Sequence, residues 1–323
     1  MSDRHAVGVR ATWPEMPQPI RLWLANLLGS RFVAVEEQRG GMSPGCATRI
    51  ACADGTRVFV KVVGRPLNPD TPNLFRREVT ALDLIGSHPL WAGLLAVWDD
   101  DDWVAVVLED VQGRHPDLHD DVDLAWLLRA TDELTEVLAE RVPDPPPPRP
   151  RDGGLADLHD KWRVQWPESL ERLAAVRPAA VPEWLLERVD DVRDHLALLA
   201  DQTERRLVHA DIRSDNLLVR PSGQLVFLDW GMATVGPGWV DPLLARLERV
   251  EDPWFDASVQ ACPALADAGD DVVTAFLLGI GCHVAWLSTT PVDASLPTLS
   301  AFRVAESRRF LAGAARRLGV RTG

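Results

Sequence analysis

The stretch LVHADIRSDNLLVRPSGQLVFLDWGMA, which begins at Leu207, constrains the fold more than any other part of this chain. Two apolar runs, 217–219 and 225–228, flank a turn-like segment that contains Pro, Ser and Gly, a pattern typical of a short β-hairpin. A hairpin brings its two ends together, so Asn216 and Asp229 are expected side by side just beyond the paired strands. The chain therefore places polar side chains at the open end of a small apolar hairpin.

The residue types at that end indicate a chemistry. Asn216 and Asp229 are hard oxygen donors, and Mg²⁺ prefers one or two such protein ligands together with phosphate and water. Asp211 lies five residues before Asn216, in the loop that leads to the hairpin, where a carboxylate can accept a proton from a substrate hydroxyl. The sequence thus predicts a catalytic loop at 207–216 and a metal-binding hairpin at 216–231.

Charge and cysteine usage limit the class of protein. The 323 residues carry a formal net charge of −14, which argues against nucleic acid or an anionic membrane as a partner and mildly favours cationic ligands. The first residues lead into no apolar run of the signal-peptide type, and no apolar stretch of about 18 residues suggests a membrane span. The four cysteines form no CxxC pair, so we expect a cytoplasmic protein with free thiols. The pattern does not specify an oligomeric state.

The first third of the chain has the pattern of a β-sheet with one helix. Alternating apolar residues and turn signals predict strands at 32–38, 46–53, 57–63, 94–98 and 103–108. Between the third and fourth strands, Thr71 as N-cap and Pro72 in the first turn predict a helix. The apolar face of this helix is predicted to contain Leu74, Ala81, Leu82 and Ile85.

Two charged residues in this sheet region are each expected to need a partner of opposite charge. The chain has only two lysines, and Lys61 lies in the third strand between apolar neighbours. Glu78 falls on the predicted buried face of the helix, where an ionised carboxylate is costly unless it meets a cation. The sequence therefore predicts an ion pair between Lys61 and Glu78.

The remainder of the chain is predicted to be mainly helical. Helices are expected near 121–141, 155–165, 182–202, 240–250, 269–288 and 299–317. The proline-rich segment 143–150 is expected to be a stiff connector. The fold class is thus α+β with two lobes: residues 1–110 form a small antiparallel sheet with one helix, and residues 111–323 form a larger, mainly helical lobe.

The polar residues match a known signature in order. Protein kinases carry H-R-D-x-x-x-x-N followed by D-F-G, and His209, Asp211, Asn216, Asp229 and Gly231 occupy those positions, with Ala and Trp as replacements. The chain resembles the aminoglycoside phosphotransferase family, the small-molecule branch of the kinase-like fold, from about residue 32 to residue 241. The replacements, and the lack of an A-P-E element after Gly231, fit that branch better than the protein kinases.

The resemblance implies an ATP site made by a glycine-containing turn, a strand lysine, its helix glutamate and a hinge segment. The residues at those positions are Gly41, Met42, Ser43, Lys61, Glu78, Leu108, Glu109 and Val111. By this resemblance, Lys61 would hold the α- and β-phosphates and Glu78 would orient it. The main chain of the turn would cover the phosphates, and the hinge would face adenine. The turn departs from G-x-G-x-x-G and carries Pro44.

The resemblance also implies catalytic roles. Asp211 would be the base, Asn216 and Asp229 would bind Mg²⁺, and Arg213 would neutralise charge on the transferred phosphoryl group. His209 is interpreted as a structural residue that braces the loop near Asp229. The implied function is an ATP-dependent O-phosphotransferase.

The acceptor is a small molecule with a hydroxyl group, for which the family suggests an aminoglycoside, another antibiotic or an amino sugar. Candidate acceptor contacts, carboxylates for a cationic substrate and tryptophans for stacking, are Asp157, Asp160, Glu251, Asp252, Asp256, Trp239, Trp254 and Trp286. The basic end of the chain, from Arg316 onward, argues against a polycationic substrate unless it folds away from the site. Two alternatives stay open: a nucleotide-sensing module without turnover, and a protein kinase.

Overall fold

The structure is a computed structural model, and it describes residues 9–38, 41–142, 154–292 and 296–320. The predicted connector 143–150 lies outside the described residues, as do Gly40 of the glycine-containing turn, the first eight residues and the last three. The proposed boundary between lobes at residue 110 remains a prediction.

The N-terminal part contains one helix and then a five-stranded antiparallel sheet. Helix α1 spans Gln18–Leu28, and the sheet has the order β1-β2-β3-β5-β4. Its strands are β1 Phe32–Glu37, β2 Cys46–Cys52, β3 Arg57–Gly64, β4 Leu94–Asp99 and β5 Trp103–Glu109. All five predicted strands are confirmed to within one or two residues. Helix α1 was not predicted, although its apolar residues Ile20 and Leu24 are buried against the sheet.

Strand β3 separates two cores. Val58, Val60 and Val62 point into the cluster that contains α1, as their spacing predicts. Val63 joins the other cluster, which extends from the sheet into the C-terminal part. Lys61 alternates onto this second face, so its ammonium is directed toward the space between the sheet and the rest of the molecule.

Helix α2, Thr71–Ile85, lies between β3 and β4 in sequence. The predicted cap at Thr71 is wrong by one residue: Asp70 is the N-cap, and the Oδ1 of Asn68 accepts hydrogen bonds from the N–H groups of Asp70 (2.9 Å) and Thr71 (3.0 Å). Leu74 was also assigned wrongly, since it is 36% exposed. The adjacent Phe75 lies on the buried face instead, three residues before Glu78. The other predicted face residues, Ala81, Leu82 and Ile85, are buried as expected.

The C-terminal part is mainly helical, as predicted. Its helices are α3 Asp121–Arg141, α4 Leu158–Asp160, α5 Trp166–Val176, α6 Glu183–Glu187, α7 Val189–Ala200, α8 Val240–Leu244, α9 Trp254–Ala261, α10 Pro263–Ala268, α11 Asp270–Ser288 and α12 Leu299–Arg317. A π-helical turn, Lys161–Gln165, joins α4 to α5. The helix predicted at 155–165 therefore starts later and runs on to residue 176, and the one predicted at 182–202 is divided near residue 188.

Helix α11 is the centre of this helical part. It packs against α5, α7 and α12, and most of its residues from Val272 to Cys282 are buried. By length and hydropathy it is also the one helix among the described residues that could cross a membrane, which the sequence inspection did not anticipate. Its central position in the core accounts for that apolar composition.

Two small sheets position the polar loop. The predicted hairpin is formed by β8 Leu217–Val219 and β9 Leu225–Phe227. A separate three-stranded sheet, which was not predicted, contains β6 Ala156–Asp157, β7 Arg206–Val208 and β10 Thr234–Gly236. In sequence, β6 and β7 precede the hairpin and β10 follows it. Thr234 pairs with Val208. The start of the loop at residue 209 therefore lies beside residue 233, where the polar segment that begins at Leu207 ends. These strands were missed because runs of two or three residues carry no readable period.

Candidate active site

A deep cleft lies between the five-stranded sheet and the β8–β9 hairpin. Its cavity volume is about 200 Å³. At one end it is lined by Leu108, Glu109 and Val111, and at the other by Lys61 and Asp229. The predicted hinge and the predicted phosphate end thus face one cavity.

Lys61 is the centre of an ion-paired group in this cleft. Its Nζ donates to both carboxylate oxygens of Glu78 at 2.9 Å and to Oδ1 of Asp229 at 3.1 Å. Burial works against the charge on Lys61, but the carboxylates of Asp229 and Glu78 outweigh it and raise the pKa of Lys61. Burial likewise opposes the charge on Asp229, yet Lys61 holds the pKa of this carboxyl below its usual value. The predicted Lys61–Glu78 ion pair is therefore present.

The catalytic loop holds Asp211 beside Asn216. The Nδ2 of Asn216 donates to Oδ2 of Asp211 at 2.8 Å and to its main-chain carbonyl at 3.0 Å. The Asp211 side chain is 20% exposed. Burial raises the pKa of Asp211 although Arg213 lowers it, and a raised pKa makes a carboxylate a stronger proton acceptor.

Asn216 and Asp229 suit a divalent cation by their chemistry. Because the amide nitrogen of Asn216 is used on Asp211, its Oδ1 is left as an acceptor. The Asp229 carboxylate is 49% exposed and has a lowered pKa, so it is ionised. Together they form the kind of oxygen pair that binds Mg²⁺ along with phosphate. Among the described residues, no group of three or more His, Cys, Asp or Glu side chains is placed to hold a metal.

His209 braces the loop, as the sequence interpretation expects. The ring is fully buried, and burial lowers its pKa, so the imidazole is neutral. Its Nε2 lies 2.9 Å from the carbonyl of Leu228, and the N–H of Asp211 lies 3.3 Å from its Nδ1. These partners assign the proton to Nε2. His209 therefore links the residue before Asp229 to Asp211 itself.

Asp241 is a site residue that sequence reasoning missed. It is 2% exposed, and its two carboxylate oxygens accept the main-chain N–H groups of His209 (2.7 Å) and Ala210 (2.9 Å). Ala210 has a φ of 61°, in the left-handed region that an alanine rarely adopts. Asp241 thus holds a strained turn directly before Asp211, and nothing in its local sequence indicates this long-range contact.

Arg213 lies in the loop but is engaged with its neighbour. Its guanidinium donates to both oxygens of Asp215, at 3.1 and 2.8 Å, and lies 3.5 Å from Oδ1 of Asp211. The structure therefore brings it next to the predicted base. It is not one of the residues that line the described cleft.

The predicted hinge residues line the cleft and have defined main-chain partners. Leu108 and Val111 are buried, and the N–H of Val111 donates to the carbonyl of Glu109 at 3.1 Å. The carbonyl of Val111 accepts a hydrogen bond from Arg49. The Glu109 side chain turns toward the hairpin, 3.0 Å from Arg220.

The glycine-containing turn contributes one of its three predicted residues to the cleft wall. Gly41, with a φ of 77°, lines the cleft. Met42 and Ser43 do not line it, and the Oγ of Ser43 accepts the N–H of Gly45 at 3.2 Å. A Cβ on Gly45 would overlap the carbonyl of Val62, so this glycine allows the turn to lie directly on β3. Arg10, which sequence reasoning missed, also lines the cleft at this turn.

The candidate acceptor carboxylates are largely paired with arginines. Asp256 binds Arg316 and Arg317, which folds the basic C-terminal end against α9. Glu251 lies 3.4 Å from Arg309. Asp157 lies within ion-pair distance of Arg205 and of His159. The aromatic candidates are mostly structural: Trp239 is buried, Trp254 stacks with Arg249, and Trp286 stacks with Arg172.

Comparisons with known proteins bear on the family and the fold of this chain. A model of the phosphotransferase enzyme family matches residues 50–262. A search of curated proteins finds no match. Among solved structures, a thermostable mutant of aminoglycoside phosphotransferase APH(4)-Ia, in complex with AMP-PNP and hygromycin B, superposes with a TM-score of 0.59 at 18% identity, over 91% of this chain and 99% of that one.

Two further structures extend the comparison. Choline kinase LicA from Streptococcus pneumoniae gives a TM-score of 0.61 at 15% identity, over 93% of this chain and 98% of that one. Macrolide 2'-phosphotransferase MphH from Brachybacterium faecium gives 0.51 at 18% identity, over 92% and 96%. At these identities the likeness shows a shared fold. The predicted kinase-like fold, with an antiparallel sheet followed by a helical part, is confirmed.

Proposed function

The chain belongs to the phosphotransferase enzyme family, and we propose that it transfers the γ-phosphoryl group of Mg-ATP to a hydroxyl group of a small molecule. The observation that supports this most is that an ion-paired group in the cleft adjoins a hydrogen-bonded Asp–Asn pair, of which Asn216 lines the cleft. Lys61, Glu78 and Asp229 meet at its inner end, while Asp211 and Asn216 are hydrogen-bonded to each other in the adjoining loop.

The roles of the cleft residues follow from their charges. Lys61 stays protonated and binds the phosphate chain of ATP, because Glu78 and Asp229 stabilise its positive charge. Leu108 and Val111 provide apolar contacts for adenine. Asn216 and Asp229 would hold Mg²⁺, which supplies positive charge to the transferred phosphoryl group when it is bound.

Asp211 acts as the base. Its carboxylate accepts the proton of the acceptor hydroxyl while the oxygen attacks the γ-phosphorus, and the bond to the β-phosphate oxygen breaks. The Asn216 amide fixes the carboxylate through Oδ2, which leaves Oδ1 for the substrate. Arg213 stabilises the developing negative charge from its position 3.5 Å from that oxygen. Positioning of this kind supplies much of the rate enhancement in phosphoryl transfer.

For the acceptor we propose an antibiotic or an amino sugar as the first class to test. Structures of the same fold include complexes with hygromycin B and with streptomycin, as well as a choline kinase. The chain's four cysteines are all buried and unpaired, in keeping with a reducing, cytoplasmic location where ATP is available.

The test is ADP release from Mg-ATP with a panel of aminoglycosides, other antibiotics, amino sugars and simple alcohols. Asp211→Asn is run beside the native protein. We expect one class to stimulate ADP release and the variant to lose at least about 100-fold in rate, with ATP binding kept. ATP binding without turnover on any acceptor would instead support a nucleotide-sensing module, and absence of ATP binding would refute the proposal.

A further inference from the structure

A short N-terminal segment is fixed onto the glycine-containing turn of the cleft. The N–H of Ala11 donates to the carbonyl of Pro44 at 2.9 Å, and the N–H of Trp13 donates to Oε1 of Glu37 at 2.7 Å. Trp13 and Met16 are 6% and 2% exposed and join the core beneath the sheet. The position of the residue before Ala11 is therefore determined by contacts on both sides of the turn.

That residue, Arg10, extends into the cleft. Its side chain lines the cavity together with Gly41, Lys61 and Asp229. A Cβ built on Gly41 would overlap the Nη2 of Arg10, so the guanidinium lies directly against the glycine. The absence of a side chain at Gly41, whose φ is 77°, makes room for this contact.

The guanidinium has unused hydrogen-bonding capacity. Its Nε has no hydrogen-bond partner among the described residues, whereas Lys61 is already engaged with Glu78 and Asp229. Burial lowers the pKa of Arg10, and the Asp229 carboxylate opposes that shift across the cleft. A half-buried arginine keeps its charge, so the cleft holds, besides Lys61, a cation whose Nε–H has no hydrogen-bond partner among the described residues.

We propose that Arg10 binds the phosphate chain of the nucleotide, as a second cation beside Lys61. The inference rests on the proposed use of ATP. A guanidinium binds phosphate oxygens with two parallel N–H donors, and the turn at Gly41 directs it to the same end of the cleft as Lys61 and Asp229. Arg10 lies outside residues 50–262, the part matched by the family model.

The test measures the affinities of ATP, ADP and adenosine by calorimetry for the native protein, Arg10→Gln and Arg10→Lys. Arg31→Gln is the matched control, since Arg31 is an exposed arginine that precedes β1. We expect Arg10→Gln to weaken ATP binding about tenfold or more, because charge-assisted hydrogen bonds are lost. The affinity for adenosine should change by less than about twofold. The ATP affinity of Arg10→Lys should lie between those of the native protein and Arg10→Gln, because lysine keeps the charge without the planar fork.

The outcomes separate this inference from the proposed function. If the native protein binds ATP and Arg10→Gln binds it equally well, the inference alone is wrong. If ATP and adenosine weaken by the same factor, Arg10 supports the fold of the cleft and not the phosphates. If the native protein binds no ATP, both proposals fail. Melting temperatures without nucleotide show whether each variant is folded. If Arg10→Gln is not folded, the comparison of the native protein with Arg10→Lys tests the inference.

Discussion

Lys61 donates to both carboxylate oxygens of Glu78 at the same distance, 2.9 Å. The Glu78 side chain is 1% exposed and that of Lys61 is 12% exposed, so this is a buried ion pair. Each charge is tolerated in the interior because the other is present. The pair also fixes the lysine at the inner end of the cleft, where Asp229 is its third contact.

Removal of one partner is therefore expected to cost more than removal of both. Lys61→Met leaves Glu78 buried without its cation, and we expect the free energy of unfolding to fall by about 3 kcal/mol. Lys61→Met/Glu78→Leu should recover much of that loss, while ATP binding stays impaired in both variants. Urea unfolding and ATP calorimetry provide the two readouts. A double variant that is no more stable than the single one would contradict this account of the pair.

Asp229 is expected to determine the magnesium dependence of nucleotide binding. In the native protein ATP should bind more tightly with Mg²⁺ than with EDTA. In Asp229→Asn, which keeps the shape but removes the charge, the difference should shrink to less than about twofold, because the cation loses its ionised ligand. Asp54→Asn, in the exposed turn between β2 and β3, is the control. An unchanged magnesium effect in Asp229→Asn would remove this residue from the metal site.

Asp241 is predicted to affect catalysis by positioning Asp211. In Asp241→Asn an amide NH2 replaces one of the two carboxylate oxygens that accept the N–H groups of His209 and Ala210. An NH2 group cannot accept a hydrogen bond, so one of the two is lost. We expect a loss of about 2 kcal/mol in stability and a lower kcat, with the KM for ATP nearly unchanged. Asp123→Asn is the matched control, since Asp123 is a buried carboxylate that pairs with Arg114 and accepts the N–H of Asp117. It should lose stability without a fall in kcat. Equal kcat losses in both variants would contradict the positioning role.

His283 provides a pH prediction. Burial, with the nearby charges of Lys161 and Arg303, lowers its pKa from 6.5 to about 4, while its Nδ1 lies 3.0 Å from Oγ of Ser169. The unfolded chain takes up this proton near pH 6.5 and the folded protein only near pH 4. Its contribution to stability is therefore complete above pH 6.5 and is lost progressively as the pH falls toward 4.

His283→Gln tests this linkage. The variant should lose less stability than the native protein between pH 7 and about pH 5, by up to about 1.4 kcal/mol per pH unit. Urea unfolding at the two pH values measures the difference. His119→Gln, whose side chain is 51% exposed, is the control. The same pH slope in His283→Gln and the native protein would show that His283 does not titrate as described.

The sequence was most informative where a pattern is local and regular. The strand alternation around Lys61, the hairpin after Asn216 and the long helices could be predicted because each has a clear period or turn signal. The order of Lys61, Glu78, Asp211, Asn216 and Asp229 was readable because their spacing is itself the signature. The ion pair between Lys61 and Glu78 followed from the cost of burying a lone charge.

The contacts that were missed depend on tertiary packing. Arg10 precedes the first strand in a segment without periodicity, and its position depends on Pro44, which lies far from it in sequence. Asp241 reaches back to His209 from the first turn of α8. The burial of Phe75 in place of Leu74 on α2 is set by the core and not by the helix alone.

The central claim is tested most directly by following the γ-phosphoryl group itself. The native protein and Asp211→Asn are incubated with Mg-ATP labelled in the γ-phosphate and the panel of hydroxyl compounds, and the label is traced by chromatography. The account predicts label in one class of small molecule with the native protein and none with Asp211→Asn, although both bind ATP. Label in protein or only in inorganic phosphate, or equal transfer by Asp211→Asn, would contradict it.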